Sequence, residues 1–229
     1  MSAPEMRLYG GMTGADRRAE RRAGLIDAGL DLLGDAEGDR LTVRRVCQRA
    51  GLATRYFYEN FADRDELVSA VYEHVVQTVA AATLDALEGA GPRPQDKIQA
   101  GLTRLVRAVA GDPRHGRILF SVTLADPLIA QRRLESSRFF TRLLAEQARQ
   151  FYGVPDSPAL DLAAQFLVGG LAQTLTAWLS GDLPVSEAEL VSECSALFAA
   201  VAGREALTGI NESGHHDPRH PSSPQTPPR

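Results

Sequence analysis

From Arg40 to Tyr58 the chain carries five arginines, Arg40, Arg44, Arg45, Arg49 and Arg55, and no acidic residue. A guanidinium presents several N–H donors in a rigid fork and keeps its charge, which suits it to phosphate oxygens. A block of this kind neutralises a nucleic-acid backbone, and release of condensed counterions then supplies affinity regardless of base sequence. Reading bases needs other groups. Arg55 can fork onto O6 and N7 of guanine, the commonest base-specific contact. Tyr56 can offer its hydroxyl to a base or phosphate and its ring to a thymine methyl, while Glu59 can accept from cytosine N4 or stay at the rim. Thr42, Arg44 and Arg45 precede them as phosphate ligands. Thr54 can hold phosphate through its hydroxyl and backbone amide, and Arg64 can do so from further along the chain.

These side chains need two short helices. Val43, Val46, Cys47 and Ala50 fall at i, i+3, i+4 and i+7, the spacing of one buried helical face. Thr42 stands before them as an N-cap, and Gly51 follows where a left-handed residue ends a helix most easily. A second helix starts at Ala53 or Thr54. With Phe57 and Phe61 turned inward, a rotation of about 100° per residue carries Arg55, Tyr56 and Glu59 to the outside. Two helices joined by a short turn containing glycine make a helix-turn-helix, whose second helix enters the major groove in DNA-binding versions. The competing reading is a three-helix bundle whose arginines are an ordinary solvated face.

The run AGLATRYFYENFADRDEL resembles the DNA-binding segment of TetR-family transcriptional regulators. The matching marks are Ala50-Gly51, Tyr58, Phe61, a basic residue at Arg64 where the family more often has lysine, and Leu67. The resemblance covers roughly Arg17 to Val76. It implies that Tyr58 and Asn60 flank the recognition helix and touch the DNA backbone, although the family often carries an aromatic residue or histidine at the Asn60 position. It also implies a homodimer held by a four-helix bundle of the last two helices of each copy.

The 229 residues suffice for a sizeable core, and 44% hydrophobic with 24% charged residues describes an ordinary globular protein. The net charge of −4 confines any DNA footprint to the local basic block. No apolar run is expected to reach the roughly 18 residues of a membrane span. The start lacks the apolar stretch of a secretory signal, so a cytoplasmic location is expected. Cys47 and Cys194 lie far apart on apolar helical faces, as small core residues do. No cofactor or metal is implied, since His215, His216, Asp217 and His220 fall in a tail without core-forming residues. Gly169-Gly170 lacks the lysine of a phosphate loop. No nucleophile or acid–base pair stands at a catalytic spacing, which argues against an enzyme.

The elements read as all-α throughout. Residues 1–15 form a flexible arm, 16–62 the helix-turn-helix domain, 63–89 a connecting helix, 90–207 a helical ligand-binding and dimerisation domain, and 208–229 a disordered tail. In the first helix, Ala19, Ala23, Ile26, Leu30 and Leu33 make an apolar stripe opposite Arg17, Arg18, Arg21 and Arg22. Asp63 with Glu66, and Ser186 with Glu189, have the spacing of capping boxes. Asp112-Pro113 and Asp126-Pro127 pair a capping acid with proline at the first helical position.

A single helix-turn-helix reads few base pairs, so a two-fold dimer on a palindromic site is physically expected. Phe166, Gly170, Thr174, Trp178, Leu190, Cys194, Leu197 and Val201 are the expected dimer interface. Leu105, Phe120, Phe139, Leu143, Gln165 and Gln173 are the candidate lining of a pocket for a small-molecule effector. The expected function is a homodimeric repressor released from double-stranded DNA by that effector. The alternatives are an activator of the same class, or a helical ligand-binding or enzymatic bundle with a vestigial helix-turn-helix.

Overall fold

A computed structural model of the chain describes residues 14–35, 41–121, 124, 126–152 and 156–212. In chain order the helices are α1 Gly14–Gly34, α2 Val43–Ala50, α3 Thr54–Tyr58, α4 Arg64–Glu88, α5 Pro94–Gly111, α6 Pro113–Phe120, α7 Pro127–Tyr152, α8 Pro158–Leu179 and α9 Glu187–Glu212. There is no strand among the described residues. The expected N-terminal arm lies mostly outside them. The expected tail begins inside α9, which continues past Thr208 to Glu212, and its remainder, with the four His and Asp residues named above, lies outside.

Local signals set most of the boundaries. The amide of Arg45 donates to the Thr42 hydroxyl at 3.3 Å, capping α2. Gly51, at φ 65°, ends it in the left-handed conformation, with Leu52 N–H bonded to Cys47 O at 2.9 Å and Gly51 N–H to Gln48 O at 3.3 Å. The Asp63 carboxylate accepts from Glu66 N–H at 2.9 Å, and Glu66 reaches back to Ala62 N–H at 2.6 Å. Asp112 caps α6 through Arg114 N–H at 3.0 Å. Asp126 does the same for α7 through Leu128 N–H at 3.0 Å. Ser186 and Glu189 close the reciprocal box at the start of α9, at 2.8 and 3.2 Å.

One apolar core runs through the molecule, from Leu25 and Leu30 of α1 through Val46, Phe57 and Phe61 to Leu67–Val79 of α4, and on to Val106, Ile118, Leu175 and Cys194. The helix-turn-helix therefore shares its core with the rest of the chain through α4. Leu190 (3% exposed) and Cys194 (8%) belong to that core, which corrects the expectation that they form an intermolecular face. A stripe at helical spacing shows that a face is apolar without showing what covers it, and here α5 packs against α9.

Two contacts bring α1 against the following helices. A methyl at Gly29 would stand 2.8 Å from Val71 Cγ2 of α4, and one at Gly34 would stand 2.5 Å from Arg114 Cβ and 2.9 Å from Arg114 Cα of α6. At the far end of α6, Arg133 of α7 donates to three main-chain carbonyls: Ile118 O and Arg117 O at 2.9 Å and Ser121 O at 2.8 Å. These carbonyls lie at the helix C-terminus, where a cation is favourable, and Arg117 O also accepts from Ser121 N–H at 3.0 Å. Burial lowers the pKa of Arg133, with the Tyr72 phenol acting the other way.

Against expectation, two helices, α4 and α8, are long and apolar enough to cross a membrane by length and composition. The two differ in what they bury. In α4, Leu67, Val68, Val71, Val75 and Val79 face the core. In α8 only Leu160, Ala164 and Leu175 are buried, while Leu162 and Phe166 are 71% and 72% exposed.

Candidate nucleic-acid interface

Phe57 and Phe61 have 0% and 1% exposure, and their ring centroids lie 5.7 Å apart. They anchor a helix of only five residues, too short to persist unaided. With that face fixed, Arg55, Tyr58 and Glu59 are exposed and Tyr56 is half-buried. Arg55 donates to the Tyr56 hydroxyl at 2.7 Å and lies 4.6 Å from its ring centroid. The hydrogen bond to Tyr56 raises the pKa of Arg55, chiefly ahead of charge effects from Tyr56 and Glu59. The guanidinium stays charged and open to solvent on the outer side of α3.

The other expected contacts divide by environment. Thr42, Arg44 and Thr54 are exposed around the recognition helix, and Arg45 is half-buried. Asn60 is half-buried, and its amide is committed to Tyr56 O at 2.7 Å, where it finishes α3. Arg64 is held between two carboxylates: Asp65 at 2.6 Å, and Asp126, the buried cap of α7, to which Nη2 donates. Burial acts to lower its pKa, but the bonds to Asp126 and Asp65 outweigh it and the net shift is upward. Arg49 forks onto Asp31 of α1 at 2.8 and 2.6 Å, so its charge serves the α1–α2 junction. Arg40 lies outside the described residues.

Asp31 is the hub of that junction. Its second oxygen accepts from Arg114 of α6 at 2.5 Å, and Arg114 also holds Asp112 at 2.8 Å. Burial pushes the Asp31 carboxyl up, yet the bonds from Arg49 and Arg114 prevail and hold it below its ordinary range. The Arg114 hydrogen bond likewise holds Asp112 down.

Three arginines of α1, opposite its apolar stripe, converge on α3 and the residues just after it. Arg18 donates to Glu59 O, Arg21 approaches the Glu59 carboxylate at 3.4 Å and lies 4.7 Å from the Tyr56 ring centroid, and Arg22 lies 5.0 Å from the Phe61 centroid. Their helical spacing places them on one side of α1. The register of α1 against α3 is a long-range property, and only the fold supplies it.

The expected pocket is not assembled. Phe139 and Leu143 are 52% and 38% exposed. Gln165 and Gln173 are also exposed, and Leu105 and Phe120 are half-buried against the main core. Arg132 of α7 donates to Ser69 of α4 at 3.1 Å, and Phe139 and Leu143 continue α7 beyond that contact. A small cleft of about 160 Å³ between α4 and α7 is lined instead by Tyr72, Glu73, Val76, Gln77, Arg132, Glu135 and Ser136. Burial raises the pKa of the Cys47 and Cys194 thiols, and that of Cys194 is raised further by Glu193. Both behave as core residues.

Residues 25–71 match the family model described as "Bacterial regulatory proteins, tetR family". The chain is 29% identical over 176 residues to the HTH-type transcriptional regulator BetI of Burkholderia lata, across 72% of this chain and 84% of that one. The chain resembles TetR-family regulators, over the DNA-binding segment in the family match and over most of its length in the relative. BetI of Burkholderia thailandensis is similar to the same extent, 29% over 176 residues. Among solved structures, the fatty acid degradation regulator FadR of Bacillus halodurans superposes with a TM-score of 0.62 at 17% identity, over 80% of this chain and 95% of that one. A TetR-family regulator from Streptomyces coelicolor gives 0.63 at 17%, over 87% and 92%. Both share the two-part helical TetR fold. The protein is accordingly a transcriptional regulator of the TetR type, with a DNA-binding helix-turn-helix.

Proposed function

We propose that this protein is a cytoplasmic homodimeric repressor that binds a palindromic operator and is released from it by a small-molecule effector. The observation that carries the DNA reading is the outer side of α3, where Arg55 stands exposed on a helix locked from behind by two buried phenylalanines. In this reading Arg55 and Tyr56 read bases. Thr42, Arg44, Arg45, Thr54 and Tyr58 hold phosphates. Arg64 joins them on leaving Asp126.

The exposed apolar surface supports pairing of two copies. Phe166 is 72% and Leu197 63% exposed, and Gly170 on the same helix as Phe166 has open space where a side chain would be. Contact between α8 and α9 of two copies would cover this surface, with Thr174, Trp178 and Val201 at its margin, and would set two recognition helices about 34–36 Å apart. The division we propose is residues 16–62 for DNA, 63–89 for connection and 90–207 for dimerisation and effector binding. An effector acts by binding better to the arrangement with the wrong spacing, which shifts the population off the operator.

The test is binding to the chain's own upstream region and to random duplex across a salt series, with sedimentation for the oligomeric state. Arg55→Ala is expected to lose roughly tenfold in discrimination between the two DNAs. Arg44→Ala is expected to weaken both equally and lower the salt slope by about 0.9. Operator binding untouched by either change, or a monomer at working concentrations, overturns the proposal.

A further inference from the structure

An open cleft of about 330 Å³ lies between the start of α1 and the end of α3, lined by Ala15, Arg18, Ala19, Arg22 and Asn60. We infer that this cleft seats a DNA backbone phosphate beside the groove that α3 enters, making α1 a second DNA-contacting element. The inference rests on the DNA-binding reading above and extends it to residues that neither the helix-turn-helix nor the acid-free block contains.

At about 100° per residue, Ala15, Arg18, Ala19 and Arg22 fall along one stripe of α1, with Asp16 at its flank and Arg17 and Glu20 on the far side. The small side chains of the alanines leave room in the cleft beside the two arginines. Among the described residues, Glu59 is the one carboxylate bonded to any of Arg18, Arg21 and Arg22, and it reaches Arg21 alone. Arg18 spends one donor on the Glu59 carbonyl. Arg22 is steadied by the Phe61 ring without an acidic partner among the described residues. Arg21 has its Nε enclosed without an acceptor. This leaves a surplus of positive charge and of N–H donors one turn from Tyr56.

Phosphate suits that surplus, because a phosphodiester offers two anionic oxygens to forked donors. The arginines are also restrained before any ligand arrives, by a carbonyl and by aromatic faces, so less side-chain freedom is lost on binding. A backbone phosphate gripped here would add affinity for any duplex, without reading its bases.

The experiment uses the full-length protein. Affinity for the upstream DNA and for random duplex is measured across a salt series for wild type, Arg22→Ala, Arg22→Lys and Arg18→Ala. Loss of one phosphate contact is expected to lower the slope of log K against log salt by about 0.9, which is roughly fivefold in affinity at 0.15 M salt. Arg22→Ala is expected to weaken both DNAs by that same factor and keep their ratio. Arg22→Lys is expected to restore the slope. Unchanged slopes in Arg22→Ala and Arg18→Ala, with wild type still salt-dependent, overturn the inference and leave the DNA reading standing. Wild type without salt-dependent binding overturns that reading itself. A fall in the ratio of specific to random affinity in Arg22→Ala means that Arg22 merely supports α3, and it overturns the inference too. So does inorganic phosphate at fixed ionic strength that stabilises wild type but not Arg22→Ala while the DNA slopes stay equal, since the site would then serve a free anion.

Discussion

Asp31→Asn tests whether the junction of α1, α2 and α6 is held by charge. The substitution keeps size and shape and removes the carboxylate that Arg49 and Arg114 share. The Arg49 arm is weak, because that side chain is 60% exposed and solvent screens it, so about 0–1 kcal/mol is at stake. The Arg114 arm is better shielded, at 34% and 23% exposure, and charge-assisted bonds of this kind contribute about 1.5–3 kcal/mol when fully enclosed. Discounted for that exposure, the two arms together come to about 1–2 kcal/mol. For a chain of this size the expected fall in Tm is about 3–6 °C at pH 7. The sign with pH follows from the lowered carboxyl. The contribution is whole above the ordinary value of 3.8 and disappears as pH falls through the lower native one. Urea unfolding of wild type and Asp31→Asn at pH 7, 5 and 3.5 should therefore show a gap that is constant down to pH 5 and narrows at 3.5. A double-mutant cycle with Arg114→Met isolates the inter-helix arm. Equal stabilities at pH 7, or a gap undiminished at 3.5, would refute the reasoning.

Three further changes have definite expectations. Gly34→Ala places a methyl 2.5 Å from Arg114 Cβ and 2.9 Å from its Cα, so α6 itself must shift, at a cost of about 1–3 kcal/mol readable by thermal unfolding. Arg133→Met removes the donors of three carbonyls at the end of α6 and should destabilise the chain by about 1–3 kcal/mol, with amide exchange accelerated first in residues 113–120. Asp126→Asn retains a capping oxygen for α7 but drops the ion pair to Arg64. Stability should fall by about 1–3 kcal/mol while DNA affinity rises, and affinity that falls in step with stability would show that Arg64 belongs to the fold alone.

What could be read from sequence was whatever a few neighbouring residues decide. Thr42, Asp63 with Glu66, Asp112, Asp126 and Ser186 with Glu189 cap helices because each bond closes within four residues. Phe57 and Phe61 were legible for the same reason, four apart at and just past the end of a short helix. The destinations of long side chains were not. Arg49 and Asp31 are separated by 18 positions and Arg64 and Asp126 by 62, so two arginines that look groove-facing in sequence are paired with carboxylates of this chain. The converse holds for Arg18, Arg21 and Arg22, which join the recognition helix only through tertiary register. Apolar periodicity was equally silent about partners, and for that reason Leu190 and Cys194 proved internal while Phe139 and Leu143 face outward.

Arg133 ties two helices by a different kind of knot from an ion pair. Among the described residues no carboxylate pairs with its guanidinium. Its three acceptors are backbone oxygens fixed by the coil of α6 itself. Sliding α7 along its axis would break all three together and leave a sheltered cation without these acceptors. Arg133 thus links α7 to α6, and since α6 also leans on α1 through Arg114 and Gly34, a chain of contacts joins α7 to the helix-turn-helix beside the one through α4.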